Sequence, residues 1–315
     1  MKGLYRIKTK HHDVMKYNTF KKSGITVSEI SFGCMSLTAD TKDNDHIINK
    51  AIDNGITLFD TADLYEKGQN EMVLGSAVKQ KRKDIVISTK VGNKWRDDGK
   101  GWDWCPSKKY ILEAADKSLE RLQTDYIDIY LLHGGTINDP QDEIVEAFEI
   151  LMQSGKIRSY GISSIRPNVI KQYAGKTNIS AVMTQYSLLD RRPEQETLQL
   201  LLQNDIGVMA RGTVASGLLI DKPAKDYLDI SAMEIKKIID SIQNNINQGR
   251  SQHQAAVKYV TSHNAIVTAV AGIRTMQQLD EAIITANADN LSIDEVKNLR
   301  KAWEGNSYTK HLYNN

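Results

Sequence analysis

Eight short apolar runs punctuate the chain, at residues 30–33, 57–60, 85–90, 127–133, 159–163, 181–185, 207–211 and 266–272. Most are continuous rather than alternating in twos, the pattern of parallel strands covered on both faces. Between them the apolar positions recur at helical spacing. Residues 43–54 place Ile47, Ile48, Ala51 and Ile52 on one face, with Gly55 as the stop. Ser107 is a fitting N-cap for a helix whose apolar face is Tyr110, Ile111, Ala114, Ala115, Ser118, Leu119 and Leu122. A third helix, 142–154, presents Ile144, Val145, Phe148, Leu151 and Met152 before Gly155. Pro167 opens a fourth, and 194–204 and 250–262 supply two more.

Each parallel connection needs a crossover, so eight strands alternating with helices predict an α/β fold, a single parallel (β/α)8 TIM barrel. The rival is a doubly wound open sheet, but its G-x-G-x-x-G fingerprint is absent. Residues 15–27 predict an N-terminal β-hairpin (16–20, a turn at Ser23-Gly24, then 25–27) that closes the barrel bottom. The long interval before the last strand predicts a loop over 212–227 above the upper face. Residues 1–13 are expected to be a flexible N-terminal segment and 14–315 one barrel domain.

Composition changes this picture little. A length of 315 residues allows two domains, yet barrels of this size are often one unit. Lys and Arg are interspersed with Asp and Glu to a net charge of +2, which argues against a nucleic-acid surface. No apolar run approaches the ~18 residues of a membrane span, and residues 1–13 lack a signal-peptide core. Cys34 and Cys105 make no disulfide framework, and His11, His12, His253 and His263 lack metal-ligand spacing. The expectation is a cytoplasmic protein, by default a monomer, with no metal and neither nucleic-acid nor membrane partners.

Active sites of such barrels lie at the C-terminal strand ends. The second run ends in Phe59-Asp60 and leads to Tyr65; the third ends in Lys90; the fourth ends in His133. Neighbouring strands thus deliver a carboxylate, a phenol, an ammonium and an imidazole to one rim. A free tyrosine titrates near ~10, and an adjacent ammonium favours its phenolate, making it a better acid. Asp60 would hold Lys90, and His133 would hydrogen-bond a substrate oxygen. Such a set protonates an oxygen as negative charge builds on it, which hydride addition to a carbonyl requires. Each residue alone has a duller reading: Asp60 as a helix cap, His133 as a satisfied polar group, Lys90 as a Schiff-base lysine.

With these residues in this order, the chain resembles the aldo-keto reductase family from about Tyr17 to Leu291. The resemblance implies catalysis by Asp60, Lys90, His133 and the general acid Tyr65, with NADPH as cofactor and a small carbonyl compound as substrate. It implies a cofactor site drawn from Gly33, Cys34 and Met35, from Ser163, Ser164 and Gln185 around the carboxamide, and from Arg211 and Gly212 at the nicotinamide. Gly217 and Leu218 resemble the loop near the pyrophosphate, and Gly272, Ile273, Arg274 and Gln278 the stretch that holds the 2′-phosphate. Trp95 and Gly134 are expected at the substrate pocket. Some family members are cofactor-bound regulatory subunits, and that is the alternative function.

Four positions depart from the family pattern. Ser164 replaces an Asn, Ala282 replaces another near the adenine, and Gly134 stands where many relatives carry an aromatic, implying a more open pocket. Arg211 stands where many members stack a Tyr on the nicotinamide. A guanidinium tolerates the neutral reduced ring but repels the oxidised one, so Arg211 is expected to favour NADPH over NADP+.

Overall fold

The computed structural model describes residues 15–38 and 43–313, so the expected flexible segment 1–13 lies outside the described residues. The chain begins with two antiparallel strands, β1 (Tyr17–Phe20) and β2 (Ile25–Ser28), paired from Tyr17↔Ser28 to Phe20↔Ile25. Eight parallel strands then close on themselves: β3 (Ile30–Gly33), β4 (Leu58–Asp60), β5 (Val86–Val91), β8 (Ile129–Leu132), β9 (Tyr160–Ser163), β10 (Ala181–Gln185), β11 (Gly207–Arg211) and β12 (Ile266–Gly272). Each pairs with the next, and β12 returns to β3 through Ala269↔Ile30 to Gly272↔Gly33. The intervening β6 (Asn93–Trp95) and β7 (Trp102–Trp104) form a separate antiparallel ribbon after β5.

Two apolar clusters explain why the strand sequences do not alternate. Leu58, Val86, Ile129, Ala181, Met183, Met209 and Val267 pack into the lumen with Phe20, Ile25 and Val27. Their neighbours Phe32, Phe59, Ile87, Tyr130, Leu132, Ile162, Val182 and Val208 pack outward against the helices. Both faces are therefore apolar. The hairpin plugs the end where the strands begin: Phe20 is fully buried, and a Cβ on Gly207 would come within 2.5 Å of its ring. Burying one such ring is worth ~1.5–3 kcal/mol.

The helical layer consists of α1 (Asn44–Asp53), α2 (Gln69–Val78), α3 (Lys108–Leu122), α4 (Gln141–Gln153), α5 (Pro167–Lys176), α6 (Thr197–Gln203), α7 (Ala232–Asn244), α8 (Gln252–Thr261), α9 (Met276–Asn287) and α10 (Ile293–Lys301). Ser107 caps α3 by accepting from the Tyr110 N–H, and Pro167 is the first residue of α5, as their positions predict. The expected long loop over 212–227 is irregular apart from a short turn at Ala215–Gly217, and it leads into α7. No helix among the described residues is long and apolar enough to cross a membrane.

Candidate active site

Register brings the chemistry together. Asp60 ends β4 opposite Ser88 of β5, and Lys90 lies two residues further along β5, opposite Leu131. Both side chains are buried at the upper end of the lumen, where Lys90 Nζ donates to Asp60 Oδ2 at 2.7 Å and to the Thr61 carbonyl at 2.6 Å. Its third neighbour is the Tyr65 hydroxyl, at 3.4 Å. Three acceptor directions saturate an ammonium. Burial alone would push the Lys90 ammonium toward losing its proton, but Asp60 and Tyr65 outweigh it and the pKa rises. Burial likewise raises the Asp60 carboxyl, with Lys90 pulling against it.

Tyr65 reaches this pair from a strained turn. Glu66 and Lys67 both have positive φ, 50° and 55°, before α2 begins. Such left-handed non-glycine residues cost of order 1–3 kcal/mol each and persist where the surroundings overdetermine them. The bracing is visible: Trp95 Nε1 donates to the Leu64 carbonyl at 3.2 Å, and Lys67 Nζ sits over the Trp95 ring. Behind the turn, buried Asn70 accepts from Thr61 and donates to the carbonyls of Cys34 and Leu37, tying β4 to the segment after β3.

His133 follows β8, its backbone held by N–H donation to Val91 and by Asn93 on its carbonyl. Its ring meets Tyr65 edge-on at 6.0 Å between centroids, and its Nδ1 is buried without a hydrogen-bond partner among the described residues. Burial, then the charges of Lys90 and Arg211, push its pKa down to about 3, so the imidazole is neutral in ordinary buffers. A neutral ring offers one N–H donor to an oxygen placed between it and Tyr65.

The next strands supply a polar arc. Ser163 and Ser164 are buried at the end of β9. Gln185 and Arg211 end β10 and β11 as register partners, and Arg211 Nη1 donates to Gln185 Oε1 at 3.1 Å. Gly212 allows the turn past them: at φ 69° a Cβ would approach the Gln185 chain to 3.3 Å. Gln185 Oε1 keeps a second lone pair, and one donated N–H leaves others on the guanidinium, so this donor set fits a neutral carboxamide beside an aromatic ring. Arg274 is exposed just ahead of α9, whose N-cap Thr275 accepts from Gln278 N–H while the Gln278 side chain accepts from Arg274 N–H. Free backbone donors and a guanidinium at a helix start suit a phosphate.

The remaining sequence-derived positions divide. The Cys34, Leu218 and Ile273 side chains are buried in the core, and the Cys34 carbonyl and the Leu218 N–H are already bonded within the protein, to Asn70 and Ala215, while Met35 and Gly272 are exposed on the rim. Gly217 packs against the Lys222 side chain at the loop. Ala282 is buried within the core rather than facing a groove. Gly134 does not simply open the pocket, because Trp104 lies against it: a Cβ there would meet the indole at 3.4 Å. Trp104 also covers Gly92 and donates to Asp139 at 2.9 Å. The Trp-rich segment is thus a folded ribbon in which Trp95 faces Trp102 and Trp104 brings its ring over the strand end after His133.

The sequence pattern does not single out Asn70, Asp190 or Tyr227. The last two contact Gln185 across a loop and a turn, and no local pattern announces such contacts.

Comparison with known proteins adds three findings. The sequence profile of the Aldo/keto reductase family matches residues 29–304. The chain is 44% identical over 306 residues to the uncharacterized oxidoreductase YqkF of Bacillus subtilis (strain 168), covering 94% of this chain and 99% of that one. Among solved structures, aldo-keto reductase AKR11C1 from Bacillus halodurans in its holo form is 44% identical with a TM-score of 0.90, covering 94% of this chain and 99% of that one. Its apo form scores 0.82. An aldo/keto reductase from Klebsiella pneumoniae in complex with NADP and acetate is 25% identical, with a TM-score of 0.76 and coverage of 94% and 99%.

Proposed function

The chain belongs to the aldo/keto reductase family of oxidoreductases, and we propose that it reduces aldehydes and ketones to alcohols with NADPH, Tyr65 acting as the general acid. The observation that carries this reading is the buried ammonium of Lys90 held between Asp60 and the Tyr65 hydroxyl. When bound, NADPH supplies the hydride. The chain's own groups then meet the negative charge that appears on the carbonyl oxygen. Tyr65 gives that oxygen its proton, and the Lys90 charge stabilises the phenolate left behind. Neutral His133 donates a hydrogen bond to the same oxygen and orients it. Asp60 keeps Lys90 charged and in place.

For the cofactor, Ser163, Ser164 and Gln185 would hold the carboxamide, Arg211 would lie against the nicotinamide, and Arg274 would bind the 2′-phosphate. The Klebsiella relative is in complex with NADP, and the backbone here is nearer the holo than the apo form of AKR11C1. Both support this assignment. The direct test is NADPH oxidation by the wild-type chain against a panel of aldehydes and ketones, with NADPH affinity measured alongside. Turnover supports the reductase. Tight NADPH binding with no turnover of any carbonyl would instead favour a cofactor-bound regulatory module.

A further inference from the structure

Gln185 carries a side-chain amide whose two ends differ in what they can recognise, and its orientation is set by residues outside the strand it sits on. Nε2 donates to Asp190 Oδ2 at 2.9 Å and to the Tyr227 hydroxyl at 3.1 Å. Arg211 Nη1 donates to Oε1 at 3.1 Å. Asp190 is fully buried, and Arg192 grips both its oxygens, Nε to Oδ1 at 2.7 Å and Nη2 to Oδ2 at 2.8 Å. A carboxylate in such a pair can only accept, and a guanidinium can only donate. The amide therefore has one permitted orientation, with both hydrogens turned toward Asp190 and Tyr227 and the carbonyl oxygen turned toward Arg211.

Two tight turns hold the groups that enforce this. Ser187 and Asp190 exchange backbone hydrogen bonds, and the Ser187 hydroxyl accepts from the Asp190 N–H at 3.0 Å. Tyr227 and Ile230 exchange another pair across Leu228 and Asp229, whose φ values are 49° and 65°. A two-residue turn with both central φ positive normally takes Asn-Gly, and a leucine there is strained. The long loop after β11 accepts that strain while placing the Tyr227 hydroxyl on the amide. Tyr308 completes the support, its ring lying 5.0 Å from the Arg192 guanidinium.

We propose that Asp190 and Tyr227 are positioning residues that fix Gln185 as a hydrogen-bond acceptor, so that the site selects a nicotinamide ring by the N–H of its carboxamide. This rests on the cofactor reading above and adds the groups that decide which end of the carboxamide is recognised. Because Tyr227 stands on the long loop, it also links that loop's arrangement to the nicotinamide end of the site.

The test compares dissociation constants, by fluorescence titration without substrate, for NADPH and for its reduced acetylpyridine analogue, in which a methyl replaces the carboxamide NH2. Adenosine 2′,5′-bisphosphate serves as a control for the other end of the site. Loss of one good hydrogen bond predicts that wild type binds the analogue about tenfold more weakly. In Asp190→Asn the charged acceptor on Gln185 Nε2 is lost while Arg211 still donates to Oε1, so the amide is held less firmly and the ratio falls to about threefold with adenosine bisphosphate affinity unchanged. Tyr227→Phe, which leaves Asp190 in place, gives an intermediate ratio. Equal affinity of wild type for the two nucleotides overturns this inference while leaving the cofactor reading intact. So does an undiminished ratio in folded Asp190→Asn or, should that variant not fold, in Tyr227→Phe. Failure of wild type to bind NADPH at all overturns the cofactor reading instead.

Discussion

The Lys90 ammonium lies 2.7 Å from Asp60 in a pocket that leaves neither side chain appreciable contact with solvent. In a buried pair, removal of one partner is costly because the other charge is left without compensation. Lys90→Met should therefore lower stability by about 3–5 kcal/mol and kcat by at least about a hundredfold. Urea unfolding and steady-state kinetics read the two effects separately. A variant as stable as wild type would show that the pair is not ionised as described.

The neutral state of His133 has a pH signature. Its folded pKa is depressed to about 3, whereas an unfolded histidine titrates near ~6.5. Below ~6.5 the unfolded chain takes a proton that the folded chain refuses, so this residue makes stability fall as pH drops from ~6.5 toward 3. The slope approaches about 1.4 kcal/mol per pH unit. Unfolding of His133→Leu against wild type between pH 7 and 5 should show a shallower decline in the variant. Parallel curves would mean that the imidazole is not held neutral. The pH profile of kcat should correspondingly lack a limb near ~6.5.

Phe20 separates folding from catalysis. It fills the end of the barrel where β11 begins, whereas Asp60, Lys90 and Gln185 lie at or near the opposite strand ends. Phe20→Ala should cost about 3–5 kcal/mol by the cavity it leaves, with kcat close to wild type at temperatures where the protein remains folded. A large loss of kcat in the folded variant would mean that the hairpin acts on the site.

Arg211 is held by Gln185, and its charge reaches both Asp60 and His133. A cation in that position should disfavour the oxidised ring. The ratio of NADP+ to NADPH dissociation constants should be larger in wild type than in Arg211→Tyr, by about tenfold if the repulsion is worth ~1.4 kcal/mol. Titration of both nucleotides decides it, and an unchanged ratio removes the idea.

Much of this architecture was legible in the sequence because the barrel buries both faces of every strand. The continuous apolar runs around Phe59, Ile87 and Leu132 mark the strands, and the polar residues that end them, Asp60, Lys90 and His133, mark the rim. What escaped has physical causes. Helix α2 begins after the left-handed pair Glu66 and Lys67 and buries the polar Asn70 and Glu71 on the same face as Leu74, Gly75 and Val78, so its apolar periodicity is weak. The ribbon of β6 and β7 is partly exposed and only three residues long on each side, too short for an alternating pattern to stand out. Asp190 and Tyr227 reach Gln185 from 5 and 42 residues away, the latter through a turn that holds Leu228 at a positive φ a leucine does not favour. The open pocket inferred from Gly134 needed the placement of Trp104, which only the ribbon's register supplies.

The most direct test of the catalytic assignment is single-turnover oxidation of bound NADPH by a reactive aldehyde such as a nitrobenzaldehyde, comparing wild type with Tyr65→Phe. The phenylalanine preserves the ring that meets His133 and removes only the hydroxyl beside Lys90. The account predicts a rate lower by about a hundredfold or more, with NADPH affinity within a few-fold of wild type. A Tyr65→Phe rate equal to that of wild type would contradict it and place the proton donor elsewhere.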